Sequence, residues 1–293
     1  MVFIMAINIE PNIKQNLRLV YILYMKFRLY EVVNLIRLFL RKALFPFYNI
    51  FSDHAKNKNN YYNFNDNYII KTDFVNLSEA YQKNKWIFIE DFLNKEFWEV
   101  INSNWPKLFY FNHGNSYYKF YNMGFAWRNK LNISFNPIYD TIANPPYYLR
   151  DYKWLNTLVN NVNDYEFLKC ISSLAGKKMI CSGGIVTDAR SGHCVGLHQD
   201  SISTIDGSED RMQLMIFISS ADLPNSGELC LVGDNRWENI IFNPPSLNNT
   251  ALLFNKSANF FHGFKPLNKG KYRKSIGITF CSENDVGIIN KRS

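Results

Sequence analysis

Residues 194–200 read CVGLHQD, a short run of β-forming residues that ends in a polar segment with a histidine and a carboxylate. Similar runs, separated by turn residues, follow one another through the second half of the chain, at 179–188, 212–219, 228–232, 250–254 and 273–281. Short strands with turn signals between them are typical of antiparallel β architectures. The sequence therefore predicts an antiparallel barrel or jelly roll from Met179 onward.

The run at 194–200 places two potential metal ligands on one face of a strand. Side chains at positions i and i+2 point the same way, so His198 and Asp200 can face the interior together. His262 follows the run at 250–254 and can return from across the barrel. Each of the three could be an ordinary structural residue. As a set, two histidines and a carboxylate form a facial triad that suits ferrous iron, whereas structural zinc favours a fourth protein ligand.

A later strand carries a candidate carboxylate-binding pair. Residues 271–280 read KYRKSIGITF and alternate as a strand, with Arg273 and Ser275 on one face. A guanidinium can hold a carboxylate through two parallel hydrogen bonds, and a hydroxyl adds another donor. We predict that Arg273 and Ser275 point inward and that Lys274 faces outward. Lys271 shares the parity of Arg273 but lies at the preceding turn, where we expect it to reach solvent.

In their order along the chain, these residues resemble the iron(II)/2-oxoglutarate-dependent oxygenases, in particular the prolyl-4-hydroxylase-like branch. That family has an H-x-D motif, a long gap, a second histidine and then an arginine or lysine. Three further segments are similar to the branch: IFIEDFL at 87–93 to its opening strand, SGEL at 226–229 to its Gly-Glu-Leu turn, and HGFKP at 262–266 to its segment after the distal histidine. The resemblance covers residues 85–285.

The resemblance implies an α+β fold built on a double-stranded β-helix, a cupin-like jelly-roll barrel, with supporting N-terminal helices. It implies that His198, Asp200 and His262 are the catalytic residues and bind Fe(II), and that Arg273 and Ser275 bind the co-substrate 2-oxoglutarate. Dioxygen would be the oxidant, 2-oxoglutarate would be converted to succinate and CO2, and ascorbate is a candidate reductant. In a regular strand the remaining nearby histidine, at position 193, has the opposite parity and faces away.

The substrate is left open by the sequence. No recognisable peptide-binding segment accompanies the core, so the first hypothesis is oxidation of a small-molecule substrate. The second is hydroxylation of protein side chains such as prolyl residues, with a peptide partner, and the third is a catalytically silent barrel-fold binding protein. The aromatic stretch at 117–128 is a candidate pocket wall within 109–152, where Asn and Pro favour long loops and short strands.

The N-terminal part of the chain carries most of the positive charge. Residues 1–60 contain nine Lys or Arg and three Asp or Glu, which accounts for +6 of the net charge of +8. Charge confined to one end argues against a nucleic-acid groove. Residues 15–44 predict an amphipathic helix with a polar stripe that includes Lys26, Asn34 and Arg37. We expect it to cover the catalytic domain, and peripheral membrane contact is the alternative.

These patterns divide the chain into a basic amphipathic helical segment at 1–56, an Asn-rich connector at 57–84, an oxygenase domain at 85–285 and a C-terminal tail at 286–293. The domain opens with a predicted strand at 86–89 and a helix at 95–101 that Asn94 can cap. Residues 153–175 again have a helical pattern.

Cysteine usage indicates the compartment. The five cysteines contain no C-x-x-C pair, and their spacing fits neither a disulfide framework nor a zinc site. A hydrophobic content of 47% indicates a packed globular protein rather than a disordered one. We therefore expect a folded protein in the reducing cytoplasm, with the membrane surface as the alternative location.

Overall fold

The computed structural model describes residues 77–106, 153–199, 211–220, 230–234, 236–256 and 261–282, together with Ile70 and the backbone of 112–120 and 124–135. Several predictions lie outside these residues: the segment 1–56 with its helix at 15–44, most of the connector, Asp200, the turn at 226–229 and the tail at 286–293. Among the helices that are described, none has the length and apolar character needed to cross a membrane.

The described residues form four helices and eleven strands. The helices are α1 (Ser78–Asn84), α2 (Lys95–Ser103), α3 (Lys153–Val162) and α4 (Tyr165–Ala175). The strands are β1 (Trp86–Ile89), β2 (Asn112–Phe120), β3 (Gly124–Phe135), β4 (Met179–Arg190), β5 (Cys194–His198), β6 (Met212–Ser220), β7 (Cys230–Val232), β8 (Ile240–Phe242), β9 (Thr250–Asn255), β10 (Phe261–Phe264) and β11 (Tyr272–Ser282). They pair in one antiparallel sheet in the order β1-β9-β6-β11-β4-β3-β5-β10-β7-β8, and β2 pairs with β3.

The prediction of antiparallel β structure from Met179 onward is confirmed, since each predicted run contains one of β4, β5, β6, β7, β9 and β11. Two further strands, β8 and β10, with three and four residues, were not predicted. Between 109 and 152, strands were expected in preference to helices, which is confirmed for 112–120 and 124–135, but these strands are long and not short. There β2 and β3 form a long hairpin, which also pairs with β4.

Local capping explains where the helices begin and end. The side chain of Asn94 accepts a hydrogen bond of 2.7 Å from the backbone N–H of Phe97 and so starts α2, as predicted. The helical pattern at 153–175 is divided into α3 and α4, because Asp164 caps the second helix by accepting from the backbone N–H of Glu166 at 2.9 Å. Gly176, with φ of 71°, ends α4 in the left-handed conformation.

Helix α1 falls in the range 57–84, for which a connector was expected. Its Tyr81 is buried, and the side-chain amide of Gln82 donates to the carbonyl oxygen of Leu174 at the end of α4. Residues 78–84 are therefore part of the folded core because α1 packs against α4 and β1.

Strand alternation divides the buried side chains of the sheet into two faces. We call the first the helix face: its residues pack against α2, α3 and α4, and include Leu214, Ile216, Val186, Ile276, Ile278 and Phe280. We call the second the inner face: its cluster contains Phe217, Leu231, Leu247, Leu252 and Phe254. Burial of each such side chain contributes about 1.5–3 kcal/mol, so both faces stabilise the sheet.

The two end strands of the sheet order contact each other through the inner face. The rings of Trp86 in β1 and Phe242 in β8 are stacked with centroids 4.3 Å apart, and Phe88 lies 5.4 Å from the same phenyl ring. The sheet therefore curves until its ends meet, and the inner face is enclosed by its own strands.

Candidate active site

Two buried histidines lie side by side where β5 and β10 pair. His198 is directly opposite His262 in the register, and their ring centroids are 4.2 Å apart. Their exposed fractions are 4% and 8%. Cross-strand neighbours of this kind have Cβ atoms about 4.5–5.5 Å apart. Two imidazoles in this arrangement can each supply one nitrogen to a single metal ion.

Gly263 allows the two strands to approach this closely. A Cβ atom built at Gly263 would lie 2.6 Å from the carbonyl oxygen of Val195 and 2.9 Å from that of Gly196. Both obstacles are backbone atoms, so no side-chain rotation could make room. The absence of a side chain beside His262 is therefore a condition for the histidine pair.

The ring orientation of His198 is set by its own strand. Nδ1 of His198 lies 2.9 Å from the carbonyl oxygen of Gly196. A carbonyl oxygen only accepts, so Nδ1 carries the proton and donates, and Nε2 is the nitrogen with the lone pair. This is the tautomer in which histidine binds metals through Nε2, with the carbonyl group fixing the imidazole.

His262 belongs to the inner face. Its ring centroid lies 5.1 Å from that of Phe254, which is buried in the inner-face cluster with Phe217 and Leu252. An apolar surface next to the histidine pair restricts water and strengthens electrostatic interactions there.

Arg273 lies on the same face. It is 2% exposed, and its guanidinium carbon is 3.9 Å from the ring centroid of Phe264 and 5.8 Å from that of Phe217. Phe264 is two residues beyond His262 on β10, so both side chains project from the same face of that strand. The cross-strand partner of Arg273 on β4 is Ala189, whose small side chain leaves space for the guanidinium.

Two buried hydroxyl groups lie on β11 and β4, each two residues away from the pair of Arg273 and Ala189. Ser275 is directly opposite Thr187 on β4 and Phe217 on β6. Ser275 is 0% and Thr187 1% exposed, and neither hydroxyl has a hydrogen-bond partner in the part of the chain that the structure describes. Sequence parity identified Ser275 but not Thr187. A threonine in the run 179–188 becomes a candidate only when the register between β4 and β11 is known.

No protein-family profile and no curated protein matches the sequence. Solved structures do match. A prolyl-4-hydroxylase from Pseudomonas putida is 9% identical, covers 72% of this chain and 100% of its own, and has a TM-score of 0.49. A Trichoplax adhaerens prolyl hydroxylase in complex with a hypoxia inducible factor peptide fragment is 14% identical, with coverages of 73% and 91% and a TM-score of 0.47. HygX from Streptomyces hygroscopicus, with nickel, 2-oxoglutarate and hygromycin B bound, is 10% identical, with coverages of 70% and 86% and a TM-score of 0.46.

These structural matches include 2OG-Fe(II) oxygenases and prolyl-4-hydroxylases. This is the family that the sequence motifs resemble. Identities of 9–14% and TM-scores of 0.44–0.49 are too low to carry a functional argument.

The charged residues beside Arg273 in the sequence lie elsewhere. Lys274 is on the helix face, as its parity predicts, and its Nζ donates to the side-chain oxygen of Asn102 at 3.2 Å. Burial lowers the pKa of Lys274, and the nearby Asp188 carboxylate opposes this effect. Lys271 is half-buried at the turn before β11.

Asp188 is the buried carboxylate of the helix face. Its cross-strand partner is Lys274, and its carboxylate forms an ion pair with Arg190 and accepts a 3.0 Å hydrogen bond from Nε1 of Trp105. Burial raises the pKa of the Asp188 carboxyl above its usual 3.8, although Arg190 and Trp105 act in the opposite direction. Asp188 is therefore separated from the histidine pair by the sheet itself.

The remaining site predictions have different outcomes. His193 lies in the turn between β4 and β5, where its Nδ1 accepts a hydrogen bond of 3.1 Å from the backbone N–H of Arg190. Asp200 lies outside the described residues, two positions beyond His198. Within the described ranges no group of three His, Cys, Asp or Glu side chains could hold a metal ion, so the structure does not test the complete triad.

Proposed function

We propose that this protein is an Fe(II)- and 2-oxoglutarate-dependent dioxygenase that hydroxylates, or otherwise oxidises, a small-molecule substrate. One observation carries the proposal: the in-register pair of His198 and His262 shares the inner face with the buried Arg273, whose guanidinium lies over the ring of Phe264. A metal-binding pair beside a carboxylate-binding cation is the arrangement needed to hold an iron chelated by an anionic co-substrate.

We propose Asp200 as the third iron ligand. It follows His198 at the i+2 position, so a strand that continues past His198 would carry both side chains on one face. Two histidines and a carboxylate leave three positions of an octahedral ion open for a bidentate co-substrate and dioxygen. The donor set suits iron better than structural zinc, for which four protein ligands are usual.

The enclosed inner face and the meeting of β1 with β8 support a double-stranded β-helix as the complete architecture. In such a barrel, residues of alternate parity on several strands converge on the interior. The convergence of His262, Arg273 and Ser275 from β10 and β11 is consistent with that architecture.

Each residue of the site would have a defined role. Iron with 2-oxoglutarate supplies dioxygen activation: the co-substrate becomes succinate and CO2, and one oxygen atom enters the substrate. His198 and His262 would bind the metal, and the carbonyl group of Gly196 holds His198 in its binding tautomer. Arg273 and Ser275 would neutralise and orient the far carboxylate of 2-oxoglutarate.

Metal binding by the histidine pair can be tested with a matched control. We expect His198→Ala and His262→Ala to lower affinity for Fe(II), measured by anaerobic calorimetry, by more than about a hundredfold. Both should abolish 2-oxoglutarate-dependent succinate formation. His193→Ala should leave both properties unchanged, because that imidazole is engaged with the backbone of the β4–β5 turn.

If the parent protein binds iron but forms no succinate with any pool of candidate substrates or in the uncoupled reaction, the oxygenase proposal is wrong. A catalytically silent binding protein would then be the better description. If His193→Ala lowered the affinity for Fe(II) as much as His198→Ala and His262→Ala do, the loss would not be specific to the histidine pair. The metal would then bind elsewhere.

The substrate class needs a separate experiment. Metabolite and peptide pools are incubated with the protein, Fe(II), ascorbate and 2-oxoglutarate, and their masses are compared before and after. A gain of one oxygen atom in a metabolite supports the small-molecule proposal. The same gain on prolyl residues of a peptide would replace it with protein hydroxylation.

The state of the cysteines supports a cytoplasmic location, which we propose for this protein. All five lie in the described part of the chain, where none of them forms a disulfide. Burial raises the pKa of Cys181 to about 12, so this thiol stays protonated and unreactive.

A further inference from the structure

We infer that Thr187 is a third donor to the far carboxylate of the co-substrate, beside Arg273 and Ser275. The inference rests on the proposed function, because it assigns a further residue to the same binding site. No sequence motif points to Thr187. Its position opposite Ser275 does.

The geometry places the two hydroxyls together. Thr187 and Ser275 are directly opposite in the β4–β11 pair, and residues opposite each other project from the same face with Cβ atoms about 4.5–5.5 Å apart. Ser275 also opposes Phe217, a member of the inner-face cluster, so both hydroxyls belong to the inner face. Two residues away along the same strands, Arg273 is directly opposite Ala189.

Within the described part of the chain, both hydroxyls are buried and unpaired. Buried polar groups are almost always paired, so two adjacent exceptions indicate a position that a ligand fills. Both hydroxyls can donate, and Arg273 lies two residues before Ser275 on the same face of β11. A ligand that satisfies this set must accept several hydrogen bonds and carry negative charge.

Side chains fill the inner face beyond Ser275. At the next inward position, Gly277, a built Cβ atom would lie 2.9 Å from Nε2 of Gln213 and 3.0 Å from Sδ of Met215. Gln213 is held in place, since its Nε2 donates to the carbonyl oxygen of Ile278 and its Oε1 accepts from the hydroxyl of Thr279. An anion that enters beside Arg273 must therefore stop at the level of Ser275 and Thr187.

A carboxylate matches the hydrogen-bond donors of Arg273, Ser275 and Thr187. Its two oxygens offer about four acceptor positions, enough for a two-pronged contact with Arg273 and one hydrogen bond from each hydroxyl. Its negative charge also complements the guanidinium of Arg273. We therefore assign these three donors to the carboxylate of 2-oxoglutarate that does not chelate the metal.

Direct binding tests the role of Thr187 without turnover. We would titrate 2-oxoglutarate into the full chain loaded with Mn(II) under anaerobic conditions and measure the dissociation constant by calorimetry. Thr187→Val keeps the shape of the side chain and removes the hydroxyl, so we expect weakening of about tenfold. Thr187→Ser keeps a hydroxyl and should restore most of the affinity.

Two controls separate a donor from a structural residue. Ser219→Ala removes a buried hydroxyl that opposes Lys274 on the helix face, and it should leave 2-oxoglutarate affinity unchanged. The second control is a ligand. 2-Oxopentanoate has the same carbon chain but a methyl group in place of the far carboxylate, so Thr187→Val should not alter its affinity. Without ligand, Thr187→Val should melt no lower than the parent protein.

The outcomes distinguish this inference from the proposed function. Weakening with Thr187→Val, recovery with Thr187→Ser and no effect on 2-oxopentanoate would support Thr187 as a donor. If the parent binds 2-oxoglutarate and Thr187→Val binds it equally well, the inference is overturned and the proposed function stands. If the Mn(II)-loaded parent binds no 2-oxoglutarate, both are overturned.

Discussion

Substitution of Gly263 by alanine should disrupt the histidine pair without touching either imidazole. The added methyl group would lie 2.6 Å from the carbonyl oxygen of Val195 and 2.9 Å from that of Gly196. Gly196 is also the residue whose carbonyl oxygen accepts from Nδ1 of His198. A shift of β10 away from β5 would therefore move His262 and loosen the contact that orients its partner.

The size of the effect follows from these distances. Cβ atoms are essentially never found closer than 3.0 Å to another heavy atom, so the strands must separate by about 0.4 Å. Overpacking usually costs about 1–3 kcal/mol, and backbone obstacles place this substitution near the upper end. For a domain of this size, a loss of about 3 kcal/mol lowers Tm by roughly 6 °C or more. Metal–ligand distances tolerate only about 0.2 Å, so metal affinity should fall as well.

The assay combines thermal unfolding with metal titration at a temperature where the variant is folded. Gly183→Ala is the matched control, because no atom lies within 4 Å of a Cβ built at Gly183 on β4. It should leave metal affinity intact and change the free energy of unfolding by less than about 1 kcal/mol. We expect Gly263→Ala to bind Mn(II) at least about tenfold more weakly than this control, a difference of about 1.4 kcal/mol.

One result would refute this reasoning. If Gly263→Ala melts with the parent protein and binds Mn(II) equally well, then β10 and β5 are not held as closely as the structure has them. The positions of His198 and His262 would then not depend on the absence of a side chain at Gly263.

Three further predictions concern the carboxylate site, the helix face and a helix cap. Arg273→Ala should weaken 2-oxoglutarate binding by about a hundredfold or more while iron binding survives, and Lys274→Ala should not change it; affinities within error of the parent would show that the anchor is misassigned. Asp188 has a folded-state pKa above its usual 3.8, so its contribution to stability is present below 3.8 and is lost as pH rises through the folded value. In Asp188→Asn this decrease of stability with rising pH should be absent. If the denaturant midpoints of parent and variant changed with pH in the same way, the prediction would be wrong. Asn94→Ala removes the cap of α2 and should cost about 1 kcal/mol, seen as a Tm lower by about 2–4 °C; an unchanged Tm would mean that the cap contributes nothing.

Much of the sheet and the order of its candidate ligands were predictable from sequence, because runs of β-forming residues, turn signals and the two-residue period of a strand are properties of short stretches of chain. The runs at 179–188, 212–219 and 250–254 are rich in β-forming residues and are separated by turn residues, and each lies in a strand. The same period separates Arg273 from Lys274, and the structure has them on opposite faces of β11. The helix start at Asn94 was predictable because a cap is a contact between near neighbours.

Contacts between distant segments were decided only by the tertiary structure. Sequence alone does not say that His198 is opposite His262, or that Thr187 is opposite Ser275, because register depends on how whole strands pair. The long hairpin at 112–135 was missed for the same reason: its strands are stabilised by pairing with each other and with β4, not by a local pattern. The sequence therefore determined which side chains could take part in the site, and the packing of the sheet decided which of them meet.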